Sequence, residues 1–422
     1  MLFSEYLNQE WVPALGCTEP ASIALAASAA ASQDIGNIVK IRLSVDSRIY
    51  KNCYAVGIPY SGHMIGIKWA TAIGAFLPDP SLKLECFRAI NSSVLMRAKN
   101  LIAENKIEVS VDPSKTDLYI DCHIQGSKAE SRALITFDHT NLTIFEKDGS
   151  ASKQKKAETQ IGTKGKFRRL VASMSFEEML ELALSIDKTD RERLREGIAL
   201  NLRIAEHGLT LFPKRFIDLM KGELLSTIST HVCAGVYARM WGEDFTVMSL
   251  AGSGNKGIVA AVPLAIYGEK QAIPSERIDE ALALTCLVTS ATTHHLGTLS
   301  AVCGCSNAAG IGLAAGLVFL DDGGSHEMSL AINNMVGNVT GMICDGAKIG
   351  CALKTMTAVD AAFRAASLAM SGIGIPPSDG IVGSTGVLSL KNLGRIATIG
   401  MDSTDKEILS IMQEKLKSFG TT

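Results

Sequence analysis

The spacing of hydrophobic and polar positions changes character along the chain, and the changes mark out its elements. Residues 21–32, ASIALAASAAAS, have no polar stripe and the high helix propensity of an Ala-rich run, with Pro20 suited to a first helical turn. From Asn37 the period falls to two, so that IVKIRLSVD and then Cys53 to Ile58 read as strands. SGHMIGIKWATAIGAFLPDP reads as a Gly-rich turn into a short helix that ends before Pro78. Residues 84–105 read as a helix. IEVSVD, DLYIDCHI, ESRALITF and NLTIFE, within 107–147, alternate as three or four strands. Ser150 to Arg169 is polar and basic with no hydrophobic period, either a linker or a flap over a site.

Beyond this stretch the period becomes helical. Ser175 with Glu178 forms a capping-box pattern, Asp190 to His207 continues as an amphipathic helix stopped by Gly208, and 213–242 holds one or two more. Ala/Gly-rich helices of the kind buried on most sides follow, and the last helix is expected over Thr404 to Phe419. The expected fold class is α+β: an α/β unit over 1–150 with a mixed or antiparallel sheet, a basic connector over 151–170, and a mostly α-helical domain over 171–422.

Composition narrows the function classes. The chain has 422 residues, 47% hydrophobic and 20% charged, with a net charge of −2, which describes a globular protein without the basic excess that nucleic acid or an anionic membrane surface requires. The N-terminal MLFSEYLNQEWVPALG lacks a basic start and a long apolar run, and no apolar stretch approaches the roughly 20 residues of a membrane span. A cytoplasmic location is expected. In that reducing compartment the ten cysteines read as ligands, catalysts or buried thiols rather than disulfides.

Candidate chemistry gathers around these thiols. Within Gly341 to Leu353, GMICDGAKIGCAL, Cys344 and Cys351 are seven residues apart, about two helical turns, and Cys305 of CGCSNAAG completes a three-thiolate set. Glycines 304, 310, 341, 346 and 350 crowd these sulfurs, as close backbone approach to a bulky inorganic group demands. Three thiolates without a compact fourth point to an iron–sulfur cluster with one open iron. Small core thiols and a structural zinc site are the alternatives, although CxxC pairs are absent. Cys303 is an alternative to Cys305.

ALGCTEP puts Cys17 just ahead of a helix N-terminus, where a lowered thiol pKa is expected and a thiolate can serve as base or nucleophile; the alternative is a capping turn with a buried cysteine. AGSGNKG offers backbone N–H groups at Ser253, Gly254 and Asn255 and the charge of Lys256 to a substrate carboxylate, or is a plain capping loop. His63, between glycines, is a substrate contact or an ordinary loop histidine, and PPSDGIVGSTG is a closing loop or a connector.

ALGCTEP, AGSGNKG, CGCSNAAG and MICDGAKIGC, in this order over nearly the whole chain, resemble the L-cysteine desulfidase family, relatives of the iron–sulfur-dependent bacterial L-serine dehydratases. The resemblance implies a lyase with an oxygen-labile 4Fe-4S cluster and no pyridoxal phosphate, eliminating hydrogen sulfide from L-cysteine to give pyruvate and ammonia. It implies Cys305, Cys344 and Cys351 as cluster ligands and Cys17 as proton acceptor. The chain ends KLKSFGTT, without the terminal cysteine of some serine dehydratases, which tilts the reading away from serine dehydratase proper; L-serine or another β-substituted amino acid is the alternative substrate. A non-catalytic cluster protein that binds a ligand or senses redox state is the alternative of a different class. The expected partner is the amino-acid substrate, and a homo-oligomer is left open.

Overall fold

Alternation of buried and exposed side chains builds the sheet. A computed structural model describes residues 2–77, 79–115, 117–151, 163–297 and 300–419. The strands are β1 (Trp11–Leu15), β2 (Ile38–Val45), β3 (Ile107–Val111), β4 (Tyr119–Gly126), β5 (Glu130–Thr136), β6 (Leu142–Lys147), β7 (Ser150–Ala151) and β8 (Thr246–Leu250). Six of them form one mixed sheet in the order β3-β2-β4-β5-β6-β7, in which only β2 and β3 run parallel. Ile41, Leu43, Ile120, Cys122, Ile124, Ala133 and Ile135 point into a core shared with the Ala-rich helix Thr18–Ala31 and the helix Ile67–Gly74. On the opposite face Arg132 grips Asp121 through two 2.9 Å hydrogen bonds, beside His123.

Two local expectations fail for identifiable reasons. Cys53–Ile58 is not a strand: Asp46 accepts from the Arg48 and Ile49 amides and caps a helix, Ser47–Cys53, and beyond it only the single bridge Gly57↔Ile65 remains. The segment 84–105 is broken in two, a 3-10 segment Pro80–Ala89 and an α-helix Ser92–Ala103, because Asn91 caps the second. Of the basic connector, residues 152–162 lie outside the described residues, and Thr163–Ala172 is a helix.

The second core is helical. Its axis is the helix Gly304–Leu320, in which every side chain from Ser306 onward is buried. Small residues make this burial possible: Gly312 and Gly316 lie against Thr289 and Thr285 of the helix Ser275–Leu296, so two backbones approach closely. The helices Leu224–Trp241, Gly254–Lys270, Ser325–Val339 and Cys351–Met370 complete the packing.

Chain order and core membership do not coincide. Phe3, Tyr6, Leu7, Trp11 and Cys17 belong to the helical core, where the Tyr6 hydroxyl donates to Cys286 O at 2.7 Å and Trp11 Nε1 to Arg193 O at 3.2 Å. Ile408 and Met412 of the last helix, Asp402–Phe419, pack instead into the core of the sheet. Among the described residues, no helix is long and apolar enough to cross a membrane.

Candidate functional site

The small ribbon β1–β8 pairs antiparallel from Trp11↔Leu250 to Leu15↔Thr246 and joins the start of the chain to its helical core. After β1 the chain must turn at once into the helix Thr18–Ala31. Gly16 makes the turn with φ +64°, and a Cβ there would stand 2.6 Å from Pro59 Cγ, so only glycine fits. Cys17 is thereby fixed at the N-cap with its side chain free of the capping role.

One buried cation organises this end of the site. Arg239 donates from one Nη to Gly16 O at 2.6 Å and from the other to Asn255 Oδ1 at 2.9 Å, and its charge favours the Cys17 thiolate. Sequence reasoning missed it. The available signal was a lone charged residue inside the apolar helical run VCAGVYARMW. The expected lowering of the Cys17 pKa is not what the structure gives: burial pushes the thiol up, and Arg239 offsets only part of that cost.

AGSGNKG follows β8 directly. Ser253 stands at the N-cap of the helix Gly254–Lys270 without capping it, and its Oγ lies 3.4 Å from Cys305 Sγ. Asn255 turns toward Arg239, while Lys256 Nζ donates to Ala251 O at 3.2 Å and to Thr293 Oγ1 at 3.0 Å. Burial, and then the charge of Arg168, push the Lys256 ammonium down to about 8, against the opposite pull of Cys305, Glu10 and Cys303.

The later cysteines gather beside Lys256. Cys303 N donates to Met342 O at 2.8 Å and Cys344 N to Ala301 O at 2.6 Å, so the strand-like segments on either side of the bridge Val302↔Ile343 hold Cys303 and Cys344 together. Cys303 and Cys305 begin the helix Gly304–Leu320, and Cys351 begins the helix Cys351–Met370, so two helix N-termini point toward the thiols. The Cys303 thiol donates to Ser306 Oγ at 3.4 Å, and the neighbouring Cys303 thiol holds Cys305 below the usual thiol range. Burial and the neighbouring Cys303 push Cys351 up to about 12 and also raise Cys344, which Lys51 and Lys354 pull the other way.

The cysteine loop is itself anchored. Asp345 pairs with Lys348 and Lys354, and Gly346 packs on the backbone of Lys51, whose ammonium pairs with Asp405 of the last helix. Among the described residues no three His, Cys, Asp or Glu side chains converge on one point that a single metal ion would fill.

The other singled-out residues lie elsewhere. His63 stacks on Trp241 and faces Glu243, which also takes a 2.6 Å hydrogen bond with His207 at the surface. The loop 376–386 is tied down through Gly383 O, which accepts from Asn333 Nδ2 at 3.4 Å, and Thr385, which caps the next helix.

A family model described as the serine dehydratase alpha chain matches residues 129–410. A UPF0597 protein of Geobacter sulfurreducens is 36% identical over 98% of each chain. UPF0597 proteins of Clostridium tetani and Desulfotalea psychrophila are 36% and 38% identical, covering 98% and 97% of this chain and 98% of their own.

Proposed function

The chain belongs to the serine dehydratase alpha-chain family, and from that premise we propose that it is a β-elimination lyase for a small α-amino acid, specifically a pyridoxal phosphate-independent L-cysteine desulfidase releasing hydrogen sulfide, pyruvate and ammonia. The observation that carries the reading is one hydrogen-bonded bridge. Arg239 ties the Cys17 turn to Asn255, and Ser253, two residues earlier, touches Cys305.

The donor set fits an iron–sulfur cluster. Cys303, Cys305, Cys344 and Cys351 act on one another electrostatically, and thiolates are the ligands such a cluster takes, one per iron. Two helix N-termini and the charges of Lys51, Lys256, Lys348 and Lys354 favour thiolates there. Cys305, Cys344 and Cys351 would hold the cluster, with Cys303 as the neighbouring thiol that keeps Cys305 acidic. When bound, the cluster supplies a Lewis acid for the departing sulfur or oxygen.

The chain's own residues supply the rest. Cys17, as thiolate, accepts the α-proton, and the Arg239 guanidinium stabilises that thiolate against its burial. The AGSGNKG loop and Lys256 present N–H groups and positive charge to the substrate carboxylate. Loss of the α-proton and the β-substituent leaves an enamine that tautomerises and hydrolyses unaided.

Anaerobic reconstitution with iron and sulfide, followed by assay with L-cysteine and L-serine, tests the reading. Equal amounts of sulfide and pyruvate from L-cysteine support it. Pyruvate from L-serine alone moves it to the second reading, an L-serine dehydratase, which the matched family description favours. No pyruvate from either refutes both.

A further inference from the structure

We propose that Arg168, delivered by the helix that closes the basic connector, is the residue that binds the substrate carboxylate. The proposal deepens the elimination reading above and rests on it. The helix Thr163–Ala172 packs against the helices Phe3–Glu10 and Ser275–Leu296, which brings its middle over the AGSGNKG loop. Arg168 Nε donates to Glu10 Oε2 at 2.8 Å, and the Glu10 backbone oxygen accepts from Ala251 N at 3.0 Å. A single wholly buried acidic residue thus fixes both the guanidinium and the loop beneath it.

The orientation leaves the outer edge of the guanidinium for a ligand. Glu10 engages Nε, and among the described residues neither Nη has a hydrogen-bond acceptor, although the side chain is only 19% exposed. Nη2 lies over Gly252, 3.3 Å from where a Cβ at that position would stand, so the group faces a stretch of backbone with no side chain to cover it. One residue further on, Ser253 touches Cys305, and Arg168 acts electrostatically on both Lys256 and His294. A carboxylate on this edge therefore sits beside the thiols.

Lys256 is the weaker choice for this task. Two of its three donors already serve Ala251 O and Thr293 Oγ1, and an ammonium is a point charge. The guanidinium fork matches the two oxygens of a carboxylate directly. Glu10 is then a positioning residue that keeps the fork turned toward the site.

The test uses the reconstituted protein and L-alanine, which has the carboxylate and ammonium but no leaving group, against ethylamine, its counterpart without the carboxylate. The wild-type protein is expected to bind L-alanine and to discriminate against ethylamine by ligand-detected NMR or calorimetry. In Arg168→Gln the L-alanine affinity falls by about 10- to 100-fold, the discrimination shrinks with it, and KM for L-cysteine rises by more than kcat falls. Arg168→Lys recovers part of the loss, and Lys166→Gln, an exposed charge on the same helix, changes nothing.

Because Arg168→Gln removes a cation from the buried Glu10 carboxylate, the pair Glu10→Gln with Arg168→Gln is measured beside it, so that a folding defect cannot stand in for a binding defect. A folded variant with wild-type L-alanine affinity overturns the assignment, as does wild-type protein that binds ethylamine equally well. Binding lost with Arg168 in a protein that forms no pyruvate keeps the carboxylate site and sinks the elimination reading. Normal KM in Arg168→Gln does the reverse.

Discussion

Replacing Arg239 by Met probes the link between the early cysteine and the rest of the site. The methionine keeps the apolar length of the side chain and removes the charge. Gly16 O and Asn255 Oδ1 each lose a donor, at 2.6 and 2.9 Å, inside a buried region. An orphaned buried acceptor costs about 1–3 kcal/mol, so the variant should lose about 2–6 kcal/mol of stability by urea titration. Arg239 opposes the burial that raises the Cys17 thiol, so its removal sends that pKa higher still. Loss of a neighbouring cation typically raises a thiol pKa by at least about 1–2 units. Below the thiol pKa the thiolate fraction falls tenfold per unit. The rising limb of kcat/KM against pH should therefore move about 1–2 units alkaline, and at fixed neutral pH kcat/KM should drop about 10- to 100-fold. Arg239→Lys should restore part of both. A folded Arg239→Met protein whose pH limb stays in place refutes the claim that Arg239 stabilises a Cys17 thiolate.

Cysteine variants separate ligand from base: Cys17→Ser should abolish turnover and keep the iron absorbance, while Cys344→Ser and Cys351→Ser lose both. Cys305→Ser should lose iron and Cys303→Ser retain it, and the opposite order would transfer the ligand role to Cys303. Asp405→Ala leaves the Lys51 ammonium, 4% exposed, without its partner and should cost about 3–5 kcal/mol in urea unfolding, with early tryptic cleavage of the last helix; Asp405→Asn should cost less. Burial pushes Cys86 up to about 12 and Cys233 up to about 11. A thiol whose folded pKa is raised contributes stability below its unfolded pKa of about 8.5 and loses it as pH rises toward the folded value, about 1.4 kcal/mol per pH unit for each such thiol. Stability should thus decline from about pH 8.5 upward, and Cys86→Ala should remove one thiol's share of the slope, whereas an unchanged slope in that variant contradicts the assignment.

What the sequence made legible was local. The strands of 107–147 were legible because Ile120, Cys122 and Ile124, like Ala133 and Ile135, recur at every second position toward one core, and Cys17 could be placed ahead of a helix because Pro20 marks a first turn. Cys53–Ile58 looked like a strand only while the Asp46 cap was ignored. The ribbon β1–β8 was invisible because Pro13 breaks the strand pattern of WVPAL and its partner lies more than 200 residues away. The Cys17 pKa was expected to fall because the helix terminus is a local feature, but the depth of burial that decides its direction is set by packing from distant elements. Arg168 was concealed differently: within a run of lysines and arginines, nothing marks the one that turns inward to a buried glutamate.

That inward turn belongs to a wider arrangement in which the site lies along the seam of two cores. The helix Thr18–Ala31 starts with Cys17 in the helical core and continues from Ala21 in the core of the sheet. The last helix makes the same crossing, with Ala397 just before it in the helical core and Ile408 in the core of the sheet, and it carries Asp405 to Lys51 against the cysteine loop. If each core held its own residues, relative movement of the two would alter the distance between Cys17 and Cys305, and an error of 1 Å in such a geometry can cost a factor of about 100 in rate. The crossings oppose that movement. Shifting one core against the other would break the Arg239 hydrogen bonds at one end and the Lys51–Asp405 pair at the other, each inside buried surroundings where unpaired groups are costly. The polar bridges are thus placed where apolar packing alone, which tolerates sliding, would leave the two halves of the site free to drift.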